Sequence, residues 1–187
     1  MSGVEIRDHR FTEVVGPTVS FEKLATGFIF TEGPLWHARD HYLLFSDMPG
    51  DHLRCWTAKE GVTTFRKPCN KSNGLTWDTR GRLLVCEHAS SRVTRTEPDG
   101  AITVIASHYN GKELNSPNDI VVKHDDGGIY FTDPIYGRKP HFGVPREPEL
   151  DFRGLYRAEP AGGKLTLLAD DFGQPNGLCF SLDEKRP

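Results

Sequence analysis

The stretch Leu114–Asp133, LNSPNDIVVKHDDGGIYFTD, decides the fold. Two short apolar runs, IVV and IYF, flank a polar turn containing Gly, which is the pattern of a β-hairpin with a longer loop. Asn118 stands just before the first run, and Asp133 closes the second. Asn, Asp, Ser and Pro all favour turns, so a single Asn here is only punctuation before a strand. The same arrangement recurs, however. EGPLW begins at Glu32, NGLTW at Asn73, NDIVV at Asn118 and NGLCF at Asn176. In three of these units a second run ends on an acid: LLFSD at Asp47, LLVCE at Glu87 and IYFTD at Asp133. The acid lies 15, 14 and 15 residues beyond the start of its unit. A third run follows each (HLRCW, SRVTR, RGLYR), then a fourth (VTTFR, AITVI, KLTLL).

Successive units start 41, 45 and 58 residues apart. Four short strands in roughly 40 to 45 residues make a propeller blade. No Gly-His…Trp-Asp signature appears, so this is not the common interaction-type propeller. No window of a dozen residues carries an i, i+3, i+4 apolar face, which leaves an all-β chain. The expected fold is thus a β-propeller, one incomplete domain over residues 1–187 with blade units starting near residues 32, 73, 118 and 176. That amounts to about three blades and the start of a fourth.

Composition bounds what such a domain does. Of 187 residues, 36% are hydrophobic and 26% charged, with a formal net charge of -3. That balance gives no electrostatic case for nucleic acid or an acidic membrane surface. No apolar run is long enough to span a bilayer. The start, MSGVEIRDHR, lacks the apolar core of a secretory signal. Cys55, Cys69, Cys86 and Cys179 are scattered without a C-x-x-C pair, as in a cytoplasmic protein with reduced thiols.

In a propeller the first strand of every blade lines the central channel. Glu32, Asn73, Asn118 and Asn176 share one register, so they are expected to converge at one mouth of that channel. A ring of one carboxylate and several amide oxygens suits a hard cation, above all Ca²⁺. Softer metals would call for His or Cys at these positions.

The segments TEGPLW, NGLTWDTRGRLLVCEH, LNSPNDIVVK…IYFTDPIYG and PNGLCFSLDEK together resemble the gluconolactonase branch of the senescence-marker-protein/regucalcin family. Diisopropyl fluorophosphatase and the paraoxonases are more distant relatives. The resemblance runs from about Phe21 to the end and implies a six-bladed propeller with a divalent metal, usually Ca²⁺, in its channel. The family's metal-ligating Glu of EGP, Asn of PND and Asn of NG correspond to Glu32, Asn118 and Asn176. In the family the position of Asn73 more often faces substrate. A fourth ligand of the family is an Asp that also serves as the usual general base. It belongs to a later blade and is expected beyond Pro187, so the resemblance assigns no catalytic base within the chain. The implied activity is hydrolysis of a sugar lactone to its aldonic acid. The chain by itself is expected to be weak or inactive, and its open blade edge to favour self-association. A Ca²⁺-dependent phosphotriesterase or arylesterase, and a non-catalytic Ca²⁺-binding propeller piece, are the alternatives.

Strand direction supplies further candidates. If first strands run away from the mouth, second strands return to it and bring back His88, Asp133 and Tyr136, which together with Asn73 are the expected substrate contacts. His88 and Asp119 are the candidates for a base within the chain, although strand alternation turns Asp119 away from the channel. The 58-residue spacing comes from an insertion, residues 134–152, expected to hang over the site and to be removable at little cost to the core. No G-x-S-x-G elbow and no Gly-rich phosphate loop occurs, so neither a serine-hydrolase nor a nucleotide-binding route has support.

Overall fold

The computed structural model describes residues 4–16 and 20–185, so the outermost ends of the expected domain fall outside the described residues. Pro187, beyond which the family's base-supplying Asp is expected, is among those outside, and the structure carries no test of that expectation. Three four-stranded antiparallel sheets follow one another along the chain, each in simple sequential order. The first contains β1 (Thr31–His37), β2 (Tyr42–Asp47), β3 (His52–Thr57) and β4 (Gly61–Arg66). The second contains β5 (Ser72–Trp77), β6 (Leu83–Glu87), β7 (Arg92–Thr96) and β8 (Ile102–Ala106). A small hairpin, β9 (His108–Tyr109) and β10 (Lys112–Glu113), leads to the third sheet. That sheet is β11 (Ile120–Val122), β12 (Ile129–Asp133), β13 (Gly154–Ala158) and β14 (Leu165–Ala169). One short helix, α1 (Phe11–Val15), precedes them. Among the described residues no helix is long and apolar enough to cross a membrane. All four cysteines are free, with Cys69 and Cys86 buried.

The repeat extends to irregularities of pairing. Register shifts fall at Leu53/Arg54, Val93/Thr94 and Leu155/Tyr156, at the same point between third and fourth strands of every blade. The first hairpins of blades one and two also shift together, at Glu32/Leu35 and Ser72/Leu75. A bulge turns its strand and increases local twist. Repeated at one position, it gives each blade the same curvature.

The core lies between blades, because a sheet packed on both sides buries alternate residues on opposite faces. Along β6, Leu83 and Val85 join Leu44, Leu53 and Leu75 against blade one. Their neighbours Leu84 and Cys86 join Ile120, Ile129, Phe131 and Tyr156 against blade three. β6 is therefore buried along its whole length, which explains why LLVCE reads as a continuous apolar run.

Consecutive first strands cross so closely that side chains are excluded. A Cβ on Gly33, whose φ is +55°, would lie 2.1 Å from the carbonyl oxygen of Asn73. One on Gly74 would lie 2.5 Å from that of Asn118. The Gly of EG and NG is thus required by the next blade's approach. In blade three Asp119 takes this place. Its Oδ2 accepts the Leu178 N–H at 2.8 Å and so reaches the following segment with a side chain.

That following segment departs from expectation. Residues 175–180 lie beside blade three without forming a strand. A strand needs ladder partners on a neighbour, and among the described residues no second strand runs beside this one. It is held by the Asp119 bond, by Thr132 and by an edge-to-face contact of Phe180 with Tyr130 at 4.9 Å.

Candidate functional site

The residues at the heads of the second, third and fourth units are held through their backbone carbonyls by neighbouring first- and second-strand groups. Ser46 Oγ donates to the Asn73 carbonyl at 2.9 Å, Gly74 N to the Asn118 carbonyl at 2.7 Å, and Thr132 Oγ1 to the Asn176 carbonyl at 2.7 Å. Each backbone is pinned, and its side chain projects into the same space. Glu32, Asn73, Asn118 and Asn176 line one cavity of about 240 Å³, together with His88, Tyr136, Phe30, Met48 and Phe142. Asn73 and Asn118 are buried, Glu32 is half-buried and Asn176 is exposed. A larger cleft of about 500 Å³ lies near the first-hairpin turns, around Asp78–Arg82 and His124–Gly127. Charges there already satisfy each other, with Arg82 paired to Asp78 and Glu97, and Arg95 to Glu97.

His88 sits at the back of the cavity, fully buried, although the end of a polar strand is a natural place for a solvated side chain. Burial holds its ring down at about 4, so the imidazole is neutral near pH 7. Nδ1 lies 3.1 Å from the Phe142 carbonyl, and Nε2 lies 3.3 Å from Asn73 Nδ2 and 3.5 Å from Asn118 Nδ2. With both amide nitrogens toward His88, the Asn73 and Asn118 oxygens are the atoms left for the cavity.

The acids that close the second strands prove to be clamps. Asp47 Oδ1 accepts the backbone N–H groups of Ile29 and Phe30 at 2.9 and 3.2 Å. Asp133, fully buried, accepts those of Asn115 and Ser116 at 2.8 and 2.7 Å. Both reach back 18 and 17 residues to the loop that enters their own blade. In blade two the job is divided: Asp51 accepts from Cys69 and Lys71, and Glu87 from the Asn70 side chain, Thr94 and Arg92. Asp133 is therefore not a substrate contact, because its carboxylate turns inward toward two backbone donors. Burial pushes it up to about 7, against the pull of those donors and of Arg138.

Asp119 is likewise outside the cavity wall, as strand alternation implies, and is engaged with Leu178. Burial raises its pKa. Burial raises that of Glu32 too, followed by repulsion from Asp119. The two carboxylates thus place concentrated negative charge at this end of the first strands, where a cation would relieve both the repulsion and the cost of burial. Among the described residues no three His, Cys, Asp or Glu side chains come together as for a transition metal. One carboxylate with several amide oxygens is an oxygen donor set, and it fits a hard divalent cation.

The insertion supplies wall rather than an open lid. Tyr136 stands in a 3₁₀ turn, Tyr136–Arg138, and Phe142 meets Phe30 edge to face at 5.5 Å across the cavity. Arg138 is buried and donates to Asn115 O, Leu114 O, Glu147 O and Glu113 Oε2 at 2.6 to 2.9 Å. Arg146 reaches Glu113, Ser91 and the His88 carbonyl. The expectation of a segment removable at little cost fails, because the buried Arg138 guanidinium serves the Leu114, Asn115 and Glu147 carbonyls, and of these Asn115 O accepts also from Ser91 Oγ. Phe30, Met48 and Phe142 were not expected in the wall. Met48 had a signal, since it follows Asp47 as His88 follows Glu87; Phe142 had none.

Known proteins share this architecture. The chain is 30% identical over 191 residues to the gluconolactonase of Zymomonas mobilis subsp. mobilis, an alignment covering 95% of this chain and 53% of that protein. It superimposes on a gluconolactonase of Xanthomonas campestris with a TM-score of 0.80 at 39% identity, over 87% of this chain and 54% of that one. The fold is also that of a calcium-binding regucalcin from Agrobacterium tumefaciens, with a TM-score of 0.62 at 20% identity over 86% and 50% of the two chains. The chain spans about half the length of these relatives. A family model described as SMP-30/Gluconolactonase/LRE-like region matches residues 30–186, which contain all three blades and every residue of the cavity. The chain belongs to the SMP-30/gluconolactonase/LRE-like family of β-propellers.

Proposed function

We propose that this chain contributes the cation-holding part of a site that hydrolyses a sugar lactone to its aldonic acid. The observation that carries the reading is the single cavity shared by Glu32, Asn73, Asn118 and Asn176. Names of relatives support the reaction class: gluconolactonase for two of them, and lactonohydrolase for a protein of Aspergillus oryzae 34% identical over 86 residues. Glu32, Asn118 and Asn176 would hold the divalent cation, with Ca²⁺ the best match to their chemistry and calcium binding stated for the regucalcin relative. When bound, such an ion supplies Lewis-acid polarisation of a carbonyl and a bound water of lowered pKa. The remaining residues bind and shield. Asn73 and Tyr136 offer hydrogen bonds to sugar hydroxyls, while Phe30, Met48 and Phe142 keep bulk water from one side of the ring. Water adds to the lactone carbonyl carbon, the ring C–O bond breaks, and the released alkoxide takes the proton that the water gives up. Among the described residues Glu32 is the single carboxylate in the cavity wall, and it is already assigned to the cation, so the chain alone should bind Ca²⁺ better than it turns over lactone.

Calorimetric titration of the 187-residue protein with CaCl₂ tests the binding. Saturable binding is expected, weakened by about tenfold or more in Glu32→Gln because affinity follows the charge of the ligand set. Binding that Glu32→Gln leaves unchanged would remove Glu32 from the site. A pH-stat assay of δ-gluconolactone opening, corrected for spontaneous hydrolysis, reads the reaction class. Preference for phenyl acetate or an organophosphate over the lactone would reassign the substrate.

A further inference from the structure

An amide side chain can present either its oxygen or its nitrogen to a cavity, and the two differ by half a turn about one bond. A cation is held by the oxygen and repelled by the NH₂ group. Asn73 and Asn118 both need some neighbour to decide between these faces. The neighbour they share is His88, whose Nε2 lies 3.3 and 3.5 Å from their amide nitrogens.

The state of that ring is set by the insertion. A carbonyl oxygen can only accept, so the His88 nitrogen at 3.1 Å from the Phe142 carbonyl, Nδ1, carries the hydrogen. In a neutral imidazole the other nitrogen is then a bare acceptor, and an acceptor draws NH₂ groups toward itself. The insertion packs against the residue at two further points. Gly137 lies so close that a Cβ there would sit 2.7 Å from His88 Cβ and Cγ, and Arg146 Nη2 reaches the His88 carbonyl at 3.5 Å. Three points of the insertion thus hold one residue: Gly137 against its side-chain root, Phe142 on its ring, Arg146 on its backbone.

We propose that His88 is a positioning residue of the cavity: with its proton on Nδ1 toward the Phe142 carbonyl, it accepts at Nε2 from both Asn73 and Asn118 and so turns the amide oxygen of Asn118 toward the bound cation and that of Asn73 toward the substrate beside it. The insertion thus acts on the cation through this relay, in addition to walling the cavity with Tyr136 and Phe142. This inference deepens the cation site proposed above and rests on it for its effect on Ca²⁺ affinity, but not for the hydrogen-bond pattern itself.

Long-range ¹H–¹⁵N NMR of the wild-type protein at pH 7 reads the tautomer without any metal. The expected result is a protonated Nδ1 and an unprotonated Nε2 for His88; a hydrogen on Nε2 overturns the proposal. Calcium calorimetry then compares two variants. His88→Gln keeps an acceptor oxygen near the place of Nε2, whereas His88→Leu fills similar volume with none. Supporting residues of this kind typically carry about 10–100-fold in metal affinity, so His88→Leu should weaken Ca²⁺ binding by that factor and His88→Gln should recover most of it. Equal affinity in wild type and His88→Leu overturns the proposal, as does equal loss in both variants. If His88→Leu does not fold, the tautomer measurement still decides. If the wild type binds no Ca²⁺, the cation site itself fails. The Asn73 and Asn118 side-chain amide signals, shifted in His88→Gln and lost from their hydrogen-bonded positions in His88→Leu, then report the relay alone.

Discussion

Asp133 shows how a residue can look like part of a site and serve its frame instead. Its position at the end of a returning strand is the position of a substrate contact, yet both oxygens accept backbone N–H groups at the entry to its own blade. Asn115 and Ser116 stand just before Asn118, so the clamp fixes where Asn118 begins. Asp133→Asn replaces one acceptor with an NH₂ group facing an N–H donor. The loss should be about 1–3 kcal/mol, the usual penalty for a buried donor left unpaired. The pH dependence has a definite sign. Burial raises this carboxyl from an unfolded value of 3.8 to about 7, so between those limits the native state holds a proton that the unfolded chain has released. Stability contributed by Asp133 therefore falls as pH rises through that window. Asn does not titrate, so the melting-temperature deficit of Asp133→Asn should be largest near pH 5 and should narrow toward pH 8. A deficit that stays constant across this range would mean that the carboxylate is ionised throughout, in the native state as in the unfolded chain.

At the scale of elements the insertion, residues 134–152, carries the argument. A Pro-rich excursion between two pairing strands reads as optional, and its length alone points to a loop over a site. In the structure it is fastened by Arg138, whose guanidinium fan serves three carbonyls and Glu113. Arg138→Ala removes that centre, leaves the Leu114 carbonyl without its Arg138 donor and leaves the Asn115 carbonyl with Ser91 Oγ alone. Loss of a buried ion pair typically costs about 3–5 kcal/mol; Glu113 is partly exposed, so the lower end is expected. Urea denaturation measures it. A loss under about 1 kcal/mol, the worth of a surface pair, would mean that the insertion is held by its other contacts.

For the molecule as a whole, blade two is sandwiched and blades one and three flank it. Leu84, Cys86 and Val93 are fully buried, whereas Trp36, Phe65 and Leu168 on the flanking blades are exposed. Local opening follows burial and contact density. Hydrogen exchange followed by mass spectrometry should thus show the slowest exchange in peptides spanning Leu83–Thr96. Exchange should be faster in β4 and β14, the outermost strands of their sheets. Equal protection across the three blades would indicate that they open together as one cooperative unit.

The chain's own periodicity was enough to place the strands of three blades, because each of these depends on neighbours within one hairpin; the run at 175–180, which has no second strand beside it among the described residues, forms none. Alternation of apolar and polar residues, turn chemistry and the recurring acid are local patterns. The convergence of Glu32, Asn73, Asn118 and Asn176 was also legible, since equal register in a repeating blade brings equal positions to one end. Direction within the register was not. Whether Asp133 faces a cavity or a backbone, whether His88 is solvated or buried, and whether residues 134–152 are loose or fastened depend on groups far away in sequence. His88 meets Phe142 across 54 residues, and Leu178 meets Asp119 across 59. Such contacts leave no period in the sequence, because each joins two segments whose separation is set by how blades pack rather than by how any one strand is built.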